Sequence, residues 1–326
     1  MLKIALIGYG YWGPILLRNL LLHPKVKVEY ICDLSLKQLK KAKTSYPNIS
    51  LTQDIKEVLN NKDISCVVIA VPILEHFNIS LQCLLAGKNI LIEKPMTATV
   101  KDAQKLIKLA TDKGVILCVD HPYIFSKPLE KIKSLINGNL LGKLYYYHSI
   151  RANLGKIDKS TNVFMDLAPH ELSILDYLLN KEQPEEFFVT GSSHIFHKPK
   201  YTESGTVILR YKSGFVANIY LSWLSPVKIR NITIAGSKKM LLWDDNNLKN
   251  QLQIFHSSIE INKVDINLLK YKSGKVLTPK IEPSEPLYKV IDSFVQAVLS
   301  KKPALNDGTH GLRIVRILEK INNYLI

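Results

Sequence analysis

The feature that most constrains this chain is a glycine-rich turn close to its N-terminus. An apolar segment ends at Gly8, the turn continues through Gly10 to Gly13, and a helix-like segment follows at residues 14–20. A strand, a three-glycine turn and a helix in this order form the first βα unit of a dinucleotide-binding fold. Gly8 allows a tight turn, Gly10 the approach of a pyrophosphate, and Gly13 close packing of helix on strand. The sequence therefore predicts dinucleotide phosphates at the helix N-terminus, where the helix dipole favours negative charge.

The end of the second predicted strand indicates which dinucleotide is bound. Residues 26–32 lead into Asp33, about twenty residues after Gly13. A carboxylate at this place accepts hydrogen bonds from the ribose hydroxyls and repels a 2′-phosphate. Asp33 can also cap the lysine-rich helix predicted at residues 36–45, and the two roles are compatible. We expect NAD as the cofactor in preference to NADP, although Lys37 lies close enough to weaken this inference.

Length and composition limit the class of protein. The 326 residues, of which 46% are hydrophobic and 22% charged, are enough for two domains with separate cores. No apolar run is long enough to cross a bilayer, and the N-terminal segment has no signal-peptide pattern. Four dispersed cysteines without a C-x-x-C pair or a histidine cluster indicate reduced thiols and no metal site: Cys32, Cys66, Cys83 and Cys118. We expect a cytoplasmic protein without a membrane partner.

The net charge of +16 is compatible with several kinds of partner. Lysines supply most of this charge, and they are scattered along helix-like segments instead of forming a patch with interleaved aromatic residues. A solvated lysine-rich surface is the favoured interpretation, an anionic substrate is second, and nucleic acid is a distant third. We therefore expect no nucleic-acid partner.

The first part of the chain alternates strands with helices. Strands are predicted at residues 64–71, 89–92 and 115–119, and helices at residues 77–86 and 100–113. This alternation is typical of a doubly wound parallel sheet with right-handed crossovers, an α/β (Rossmann) domain over residues 1–120.

Beyond residue 120 the pattern changes to successive strands with short turns. After a helix at residues 127–137, strands are predicted at residues 145–152, 186–194, 206–211, 215–221, 227–235 and 239–243. Further helices are predicted at residues 169–179, 287–299 and 311–324. Residues 121–326 are thus expected to form an α+β domain on a large, mostly antiparallel, open-faced sheet, with the last helix returning to the first domain. Residues 249–286 are polar and ambiguous.

Ligands of doubly wound sheets bind beyond the carboxyl ends of the strands. Six residues follow the strand ends and are expected to face the cofactor: Val71, Pro72, His76, Glu93, Lys94 and Pro95. Tyr11 and Trp12, between the glycines, are expected to pack against the cofactor or at the domain interface. Lys94 stands between Glu93 and Pro95, which orient it. This favours a role in the chemistry over that of a surface charge.

A second candidate site lies around Pro169. With Pro169 in the first turn of a helix, Asp166 comes just before the helix and His170 on its opening turn. The alternative is a capping aspartate and a core histidine. Hydride transfer from a secondary alcohol needs a base and a positive group. We predict His170 as the base and Lys94 as the electrostatic partner, with Asp166 holding the imidazole or the substrate.

These residues together resemble a known family. The glycine loop, residues 71–76, residues 93–95 and the spacing of residues 166–170 are similar to those of the Gfo/Idh/MocA oxidoreductases, over the whole chain. Several further segments resemble a subgroup associated with nucleotide-sugar and surface-polysaccharide pathways: residues 10–14, 86–88, 151–155, 166–173 and 222–228.

The resemblance implies NAD(P) in the first domain, with Lys94 beside the nicotinamide and His170 as the acid–base residue supported by Asp166. It implies a sugar or nucleotide-sugar substrate between the domains, and homodimers or homotetramers built through the open faces of the C-terminal sheets. Asp120 departs from the family pattern, because a glycine is common at this position. Four residues are expected to anchor the substrate: Asn153, Asn162, Lys228 and Arg230.

Two alternatives stay open. Lys228 and Arg230 can equally be solvated charges that discourage edge-to-edge strand pairing. The chain can also be a non-enzymatic sensor that binds a dinucleotide and regulates a protein partner.

Overall fold

The structure is a computed structural model that describes residues 1–155, 157, 161–261 and 269–325. The chain divides into two compact units. The first contains Met1–Phe125 and Glu285–Glu319, and the second contains Ser126–Ser284 and the chain from Lys320 onward. The first unit therefore runs past residue 120 and takes in a segment from near the C-terminus. Within the described ranges, no helix combines the length and apolar character needed to cross a membrane.

A parallel sheet of six strands forms the centre of the first unit. Its strands are β1 (Leu2–Ile7), β2 (Val26–Cys32), β3 (Ser50–Thr52), β4 (Cys66–Ile69), β5 (Asn89–Glu93) and β6 (Leu117–Asp120). Its helices are α1 (Gly13–Leu22), α2 (Leu36–Ser45), α3 (Ile55–Asn60), α4 (Ile73–Leu85) and α5 (Val100–Lys113), followed late in the chain by α8 (Pro286–Ser300) and most of α9 (Gly308–Asn323). The strand order is β3-β2-β1-β4-β5-β6, which confirms the predicted doubly wound sheet.

Both faces of this sheet are buried. Ile4 and Leu6 of β1 pack in one core together with residues of α1 and α8. Ala5 and Ile7 point to the opposite core, which contains residues of α4, α5 and α9. This burial on both sides explains why the strands are almost continuously apolar in sequence.

The second unit is built on a mixed sheet of eight strands among its described residues. Its strands are β7 (Leu144–Leu154), β8 (Glu186–Ser192), β9 (Ser204–Arg210), β10 (Val216–Ser222), β11 (Leu224–Gly236), β12 (Met240–Asp244), β13 (Leu252–Phe255) and β16 (Val276–Leu277). The order is β16-β13-β12-β11-β7-β10-β9-β8, and only β7 and β10 pair in parallel. The mostly antiparallel sheet is therefore confirmed. The unit also contains α6 (Lys127–Asn137), α7 (Val163–Leu178) and a hairpin of β14 (Ser258–Ile261) and β15 (Leu269–Lys272).

The helix that carries Asp166 and His170 begins earlier than predicted. The prediction of a start at Pro169 was wrong, because the side chain of Asn162 caps α7 by accepting two backbone N–H bonds of 3.0 and 3.1 Å. Pro169 lies inside the helix, where it lacks the N–H of a regular helical bond and its ring crowds the carbonyl of Met165. Asp166 is consequently within the first turn of α7, and it lies four residues before His170 on the same helical face.

Candidate active site

The three glycines of the first βα turn differ in the space around them. Gly8 has φ +94°, and a Cβ there would lie 2.3 Å from the carbonyl oxygen of Ala70. A Cβ on Gly13 would lie 2.5 Å from the carbonyl oxygen of Gly8, whereas one on Gly10 would meet no atom within 4 Å. Gly8 and Gly13 are thus required by packing of the turn itself, and Gly10 leaves open space beside the loop.

The N-terminus of α1 fits a pyrophosphate. Its N-cap residue Trp12 makes no side-chain capping bond, and its first turn contains no acidic residue. The first N–H groups of the helix and its positive dipole end therefore suit an anion. Tyr11 is 78% exposed and Trp12 39% exposed, and their rings contact each other edge to face with centroids 5.7 Å apart.

Asp33 lies at the end of β2 with its carboxylate held by the backbone. Its Oδ2 accepts from the Tyr9 N–H at 2.6 Å, and its Oδ1 accepts from the Ser35 N–H at 2.7 Å. Ser35, not Asp33, is the N-cap of α2, so the alternative capping role of Asp33 was wrong. Each carboxylate oxygen retains a second acceptor site, which fits the hydroxyls of a ribose. The residues present therefore fit a dinucleotide.

The ring of His76 lies within hydrogen-bonding distance of the segments that follow β4 and β5. Its Nδ1 lies 2.8 Å from the carbonyl oxygen of Pro95, and its Nε2 lies 2.9 Å from that of Val71. Burial lowers the pKa of this imidazole to about 4, while the two carbonyls oppose that shift. The neutral ring carries a single N–H, so it donates to one of these two carbonyl oxygens and connects α4 to the segment that contains it. The Lys94–Pro95 peptide bond is cis.

A pair of buried carboxyl groups adjoins Lys94. Glu93 and Asp120 are register partners on β5 and β6 and are 7% and 3% exposed. Burial and the neighbouring Asp120 raise the pKa of Glu93, and burial raises that of Asp120 to about 6. The positive charge of Lys94 opposes both shifts. Lys94 itself is half-buried directly after β5.

Asp166 and His170 lie on the side of α7 that is not fully buried. We call this side, which carries Asp166, His170 and Tyr177, the open stripe of α7. Within this helix, which is described throughout, every residue is buried except three: Asp166, His170 and Tyr177. Asp166 and His170 are half-buried, and Ser173 donates to the carbonyl oxygen of His170 at 2.8 Å. The structure thus presents a carboxylate and an imidazole on one face of the same helix.

A buried ion pair fixes α7 to the sheet. Arg151 of β7 contacts Oε1 of Glu171 through Nε at 2.7 Å and Nη2 at 2.6 Å. Tyr147 donates its hydroxyl hydrogen to Oε2 of the same carboxylate. Burial and the Glu171 charge raise the pKa of Tyr147. Because Glu171 follows His170, this network sets the rotation of the helix that carries the candidate base.

Two of the predicted substrate anchors are asparagines. Asn162 is buried, and besides capping α7 it donates through Nδ2 to Oδ1 of Asn322 at 2.8 Å. Both ends of its amide are therefore used inside the second unit. Asn153 is half-buried near the end of β7, and its Nδ2 lies 3.3 Å from the position of a Cβ on Gly155.

The two predicted basic anchors lie on β11. Arg230 is the register partner of Arg151, and cross-strand partners lie on the same face of a sheet, here the face covered by α7. Its Nη1 lies 3.6 Å from Oδ2 of Asp245. Lys228 is exposed and lies in an irregular stretch of β11 that does not pair with β7. Its carbonyl oxygen accepts from Asn246.

The structure adds two residues to the predicted set. Asp120 was noted only as a departure from the family pattern, and its pairing with Glu93 depends on strand register. Trp223 was noted only as part of the subgroup segment at residues 222–228, and its indole N–H donates to Oδ2 of Asp166 at 3.1 Å. Among the residues the structure describes, no group of three or more histidines, cysteines, aspartates or glutamates is arranged to hold a metal ion.

Comparison with known families gives a direct match over most of the chain. The family model described as "Oxidoreductase family, NAD-binding Rossmann fold" matches residues 2–121. The model described as "GFO/IDH/MocA C-terminal domain" matches residues 129–242.

Individual proteins show the same similarity at low identity. The chain is 25% identical over 234 residues to 1-carboxy-3-chloro-3,4-dihydroxycyclohexa-1,5-diene dehydrogenase of Comamonas testosteroni, covering 68% of this chain and 58% of that protein. It is 26% identical over 246 residues to scyllo-inositol 2-dehydrogenase (NADP(+)) IolW of Bacillus subtilis strain 168, and that alignment covers 72% of this chain and 63% of IolW. The alignments thus span less than two thirds of these relatives. The fold is similar to that of UDP-N-acetylglucosamine 3-dehydrogenase GnnA from Acidithiobacillus ferrooxidans, with a TM-score of 0.80, 20% identity and 99% of both chains covered.

Proposed function

The chain belongs to the Gfo/Idh/MocA family of NAD-binding oxidoreductases, and from this membership and its site residues we propose the reaction that it catalyses. The proposed reaction is hydride transfer between NAD and a secondary hydroxyl carbon, or the corresponding ketone, of a sugar or nucleotide sugar. The observation that carries the proposal is the pairing of Asp166 and His170 on the open stripe of α7.

The proposed roles follow from the chemistry of each side chain. When bound, NAD supplies the acceptor or donor of the hydride. His170 takes the proton of the substrate hydroxyl, since an imidazole is the side chain best matched to proton transfer near neutral pH. Lys94 stabilises the developing alkoxide with its positive charge. Asp166 orients the imidazole or a neighbouring substrate hydroxyl.

Two further features support the choice of cofactor and substrate. The carboxylate of Asp33 at the end of β2 favours the free 2′-hydroxyl of NAD over a 2′-phosphate. The names of an inositol dehydrogenase and of a UDP-N-acetylglucosamine 3-dehydrogenase among the similar proteins point to polyhydroxylated substrates. Arg230, on the face of the sheet covered by α7, is a candidate to bind a substrate carboxylate or diphosphate.

The proposal extends to assembly and location. The face of the eight-stranded sheet opposite α7 carries exposed apolar side chains, and we propose that a second copy of the chain covers it in a homodimer or homotetramer. All four cysteines are buried free thiols, which suits a reducing compartment, and we propose a cytoplasmic location.

The test replaces Lys94 and His170 separately with alanine. Turnover of a panel of inositols and nucleotide sugars, followed through NADH absorbance, should fall at least about 100-fold in each variant. The dissociation constant for NAD, measured by calorimetry, should change by less than about threefold, because neither side chain belongs to the glycine loop or to Asp33. Lys108→Ala, which removes an exposed lysine paired with Asp112 on α5, is the matched control.

The same experiment separates the enzyme from a dinucleotide sensor. Turnover retained in either variant would remove that residue from the mechanism. Tight NAD binding by the unmodified protein without turnover of any panel member would favour the sensor.

A further inference from the structure

Trp223 connects two segments of the second unit that lie far apart in sequence. It stands between β10 and β11, is 2% exposed, and donates its indole N–H to Oδ2 of Asp166 at 3.1 Å. Asp166 is half-buried on the stripe that also carries His170. A buried aromatic side chain thus directs its single polar atom at a carboxylate proposed to act in the chemistry.

The backbone of Trp223 is fixed on both sides. Its N–H donates to the carbonyl oxygen of Glu203 at 2.8 Å, and its carbonyl oxygen accepts from the N–H of Gly155 at 2.9 Å. The neighbouring turn is closed by the N–H of Leu224, which donates to the hydroxyl oxygen of Ser222 at 3.0 Å. The indole therefore projects from a backbone with little freedom to shift.

The ring itself is held by contact with Gly155. A Cβ on this residue would lie 2.7 Å from Cδ1 and 3.1 Å from Cγ of Trp223. Non-bonded contacts of a Cβ atom shorter than 3.0 Å essentially never occur, so any larger residue at position 155 would displace the ring. The absence of a Cβ at position 155 thus leaves room for the indole whose N–H donates to Asp166.

We propose that Trp223 is a positioning residue that holds the carboxylate of Asp166 in one orientation on α7, with Gly155 as the residue that keeps the indole in place. This inference rests on the proposed function, because it concerns the same site. An aspartate side chain has several staggered rotamers, and a hydrogen bond to its ionised form selects one of them. The bond also stabilises the negative charge beside the imidazole that receives a proton.

If Trp223 only filled space in the core, its replacement by phenylalanine would leave the chemistry unchanged. The Trp223→Phe variant keeps the ring and most of its volume and removes the N–H. In the positioning role, this variant lowers kcat about 10-fold to 100-fold while the KM for NAD changes little. The acidic limb of the pH profile of kcat for alcohol oxidation, which reports protonation of His170, should move to higher pH, because a carboxylate that has lost its donor stabilises the neighbouring imidazolium more strongly.

A measurement without turnover tests the hydrogen bond directly. The chain has three tryptophans, so its 1H–15N spectrum contains three indole signals, assigned through the Trp12→Phe, Trp223→Phe and Trp243→Phe variants. The Trp223 signal should shift with pH as a carboxylate titrates, and Asp166→Asn should abolish that titration. A Trp223 signal that is unaffected by both pH and Asp166→Asn would overturn the proposal.

Two variants complete the kinetic test. Gly155→Ala should reproduce the loss of kcat, because its Cβ displaces the indole. Trp243→Phe, which removes the other buried indole N–H of the same sheet on β12, should leave kcat and its pH profile unchanged. Unchanged kinetics in Trp223→Phe would reject the positioning role even if the hydrogen bond is present. If no substrate of the panel is turned over, the proposed function fails on its own, and the spectra still decide whether Trp223 holds Asp166.

Discussion

Glu93 and Asp120 are register partners at the carboxyl ends of adjacent parallel strands, and both residues are buried, at 7% and 3% exposed. Two neighbouring carboxyl groups that are buried disfavour each other's ionisation. Burial and the neighbouring Asp120 raise the pKa of Glu93 well above its ordinary value, and burial raises the pKa of Asp120 to about 6. The positive charge of Lys94 opposes both shifts and so favours ionisation of these carboxyl groups.

This pair predicts a pH-dependent stability that Asp120→Asn removes. The pKa of Asp120 is higher in the folded state than its unfolded value of 3.8, so the folded chain binds more protons than the unfolded chain between about pH 4 and pH 6. Stability therefore falls as the pH rises through this window, by about 3 kcal/mol in total. Asn cannot ionise and has nearly the same shape as Asp. Urea unfolding at pH 4 to 8 measures the effect. The free energy of unfolding of Asp120→Asn should increase relative to that of the wild type as the pH rises.

The control for this measurement is Asp112→Asn, which changes an exposed carboxylate on α5. Its stability should follow that of the wild type across the same pH range. Parallel curves for the wild type and Asp120→Asn would show that Asp120 ionises in the folded chain as readily as in the unfolded one.

Asp33 predicts a measurable cofactor preference. Asp33→Asn keeps the shape of the side chain but removes the charge that repels a 2′-phosphate and accepts from the ribose hydroxyls. The ratio of kcat/KM for NAD to that for NADP should fall about 10-fold to 100-fold, or about 1.4 to 2.7 kcal/mol. Steady-state kinetics with both cofactors measure it. Asp54→Asn, at the N-cap of α3, is the control and should leave the ratio unchanged. A constant ratio in Asp33→Asn would show that Asp33 does not select the cofactor.

Local sequence signals predicted most elements well. The helices predicted at residues 36–45, 100–113 and 127–137 coincide with α2, α5 and α6. Two of these helices have side-chain caps, from Ser35 and Thr99, and α5 ends at a glycine with positive φ. Such signals lie within a few residues of the helix end and need no tertiary information. In residues 249–286, by contrast, strands β13 to β16 have at most four residues each, too few for a periodic pattern, and the sequence left them ambiguous.

The candidate site was predicted only as far as single segments allow. Glu93, Lys94, Asp166 and His170 stand in local motifs, so the sequence identified them. The partners of these residues could not be found in the same way. Asp120 reaches Glu93 through strand register, and Trp223 reaches Asp166 across the second unit. Register and packing are properties of the folded chain, so such pairs become visible only in the structure.

Gly8 and Gly10 should respond differently to the same substitution. Gly8→Ala places a Cβ 2.3 Å from a carbonyl oxygen at a positive φ, and it should destabilise the first unit by about 3 kcal/mol or more. Gly10→Ala meets open space, so its melting temperature should stay near that of the wild type while NAD affinity falls at least about 10-fold. Differential scanning calorimetry and NAD titration measure the two effects. Wild-type NAD affinity in Gly10→Ala would place the pyrophosphate elsewhere.

The sheet face opposite α7 predicts the oligomeric state. Tyr220 and Ile150 are register partners on this face, Phe188 lies there on β8, and Tyr220 and Phe188 are 39% and 51% exposed. Such an apolar surface is stable in water when a second copy covers it. Tyr220→Lys should convert a dimer or tetramer into a monomer in light scattering while far-ultraviolet circular dichroism stays unchanged. Tyr271→Lys, on the separate β14–β15 hairpin, is the control and should keep the wild-type mass. A wild-type protein that is monomeric at micromolar concentration would leave this face without a second copy and reject the proposed assembly.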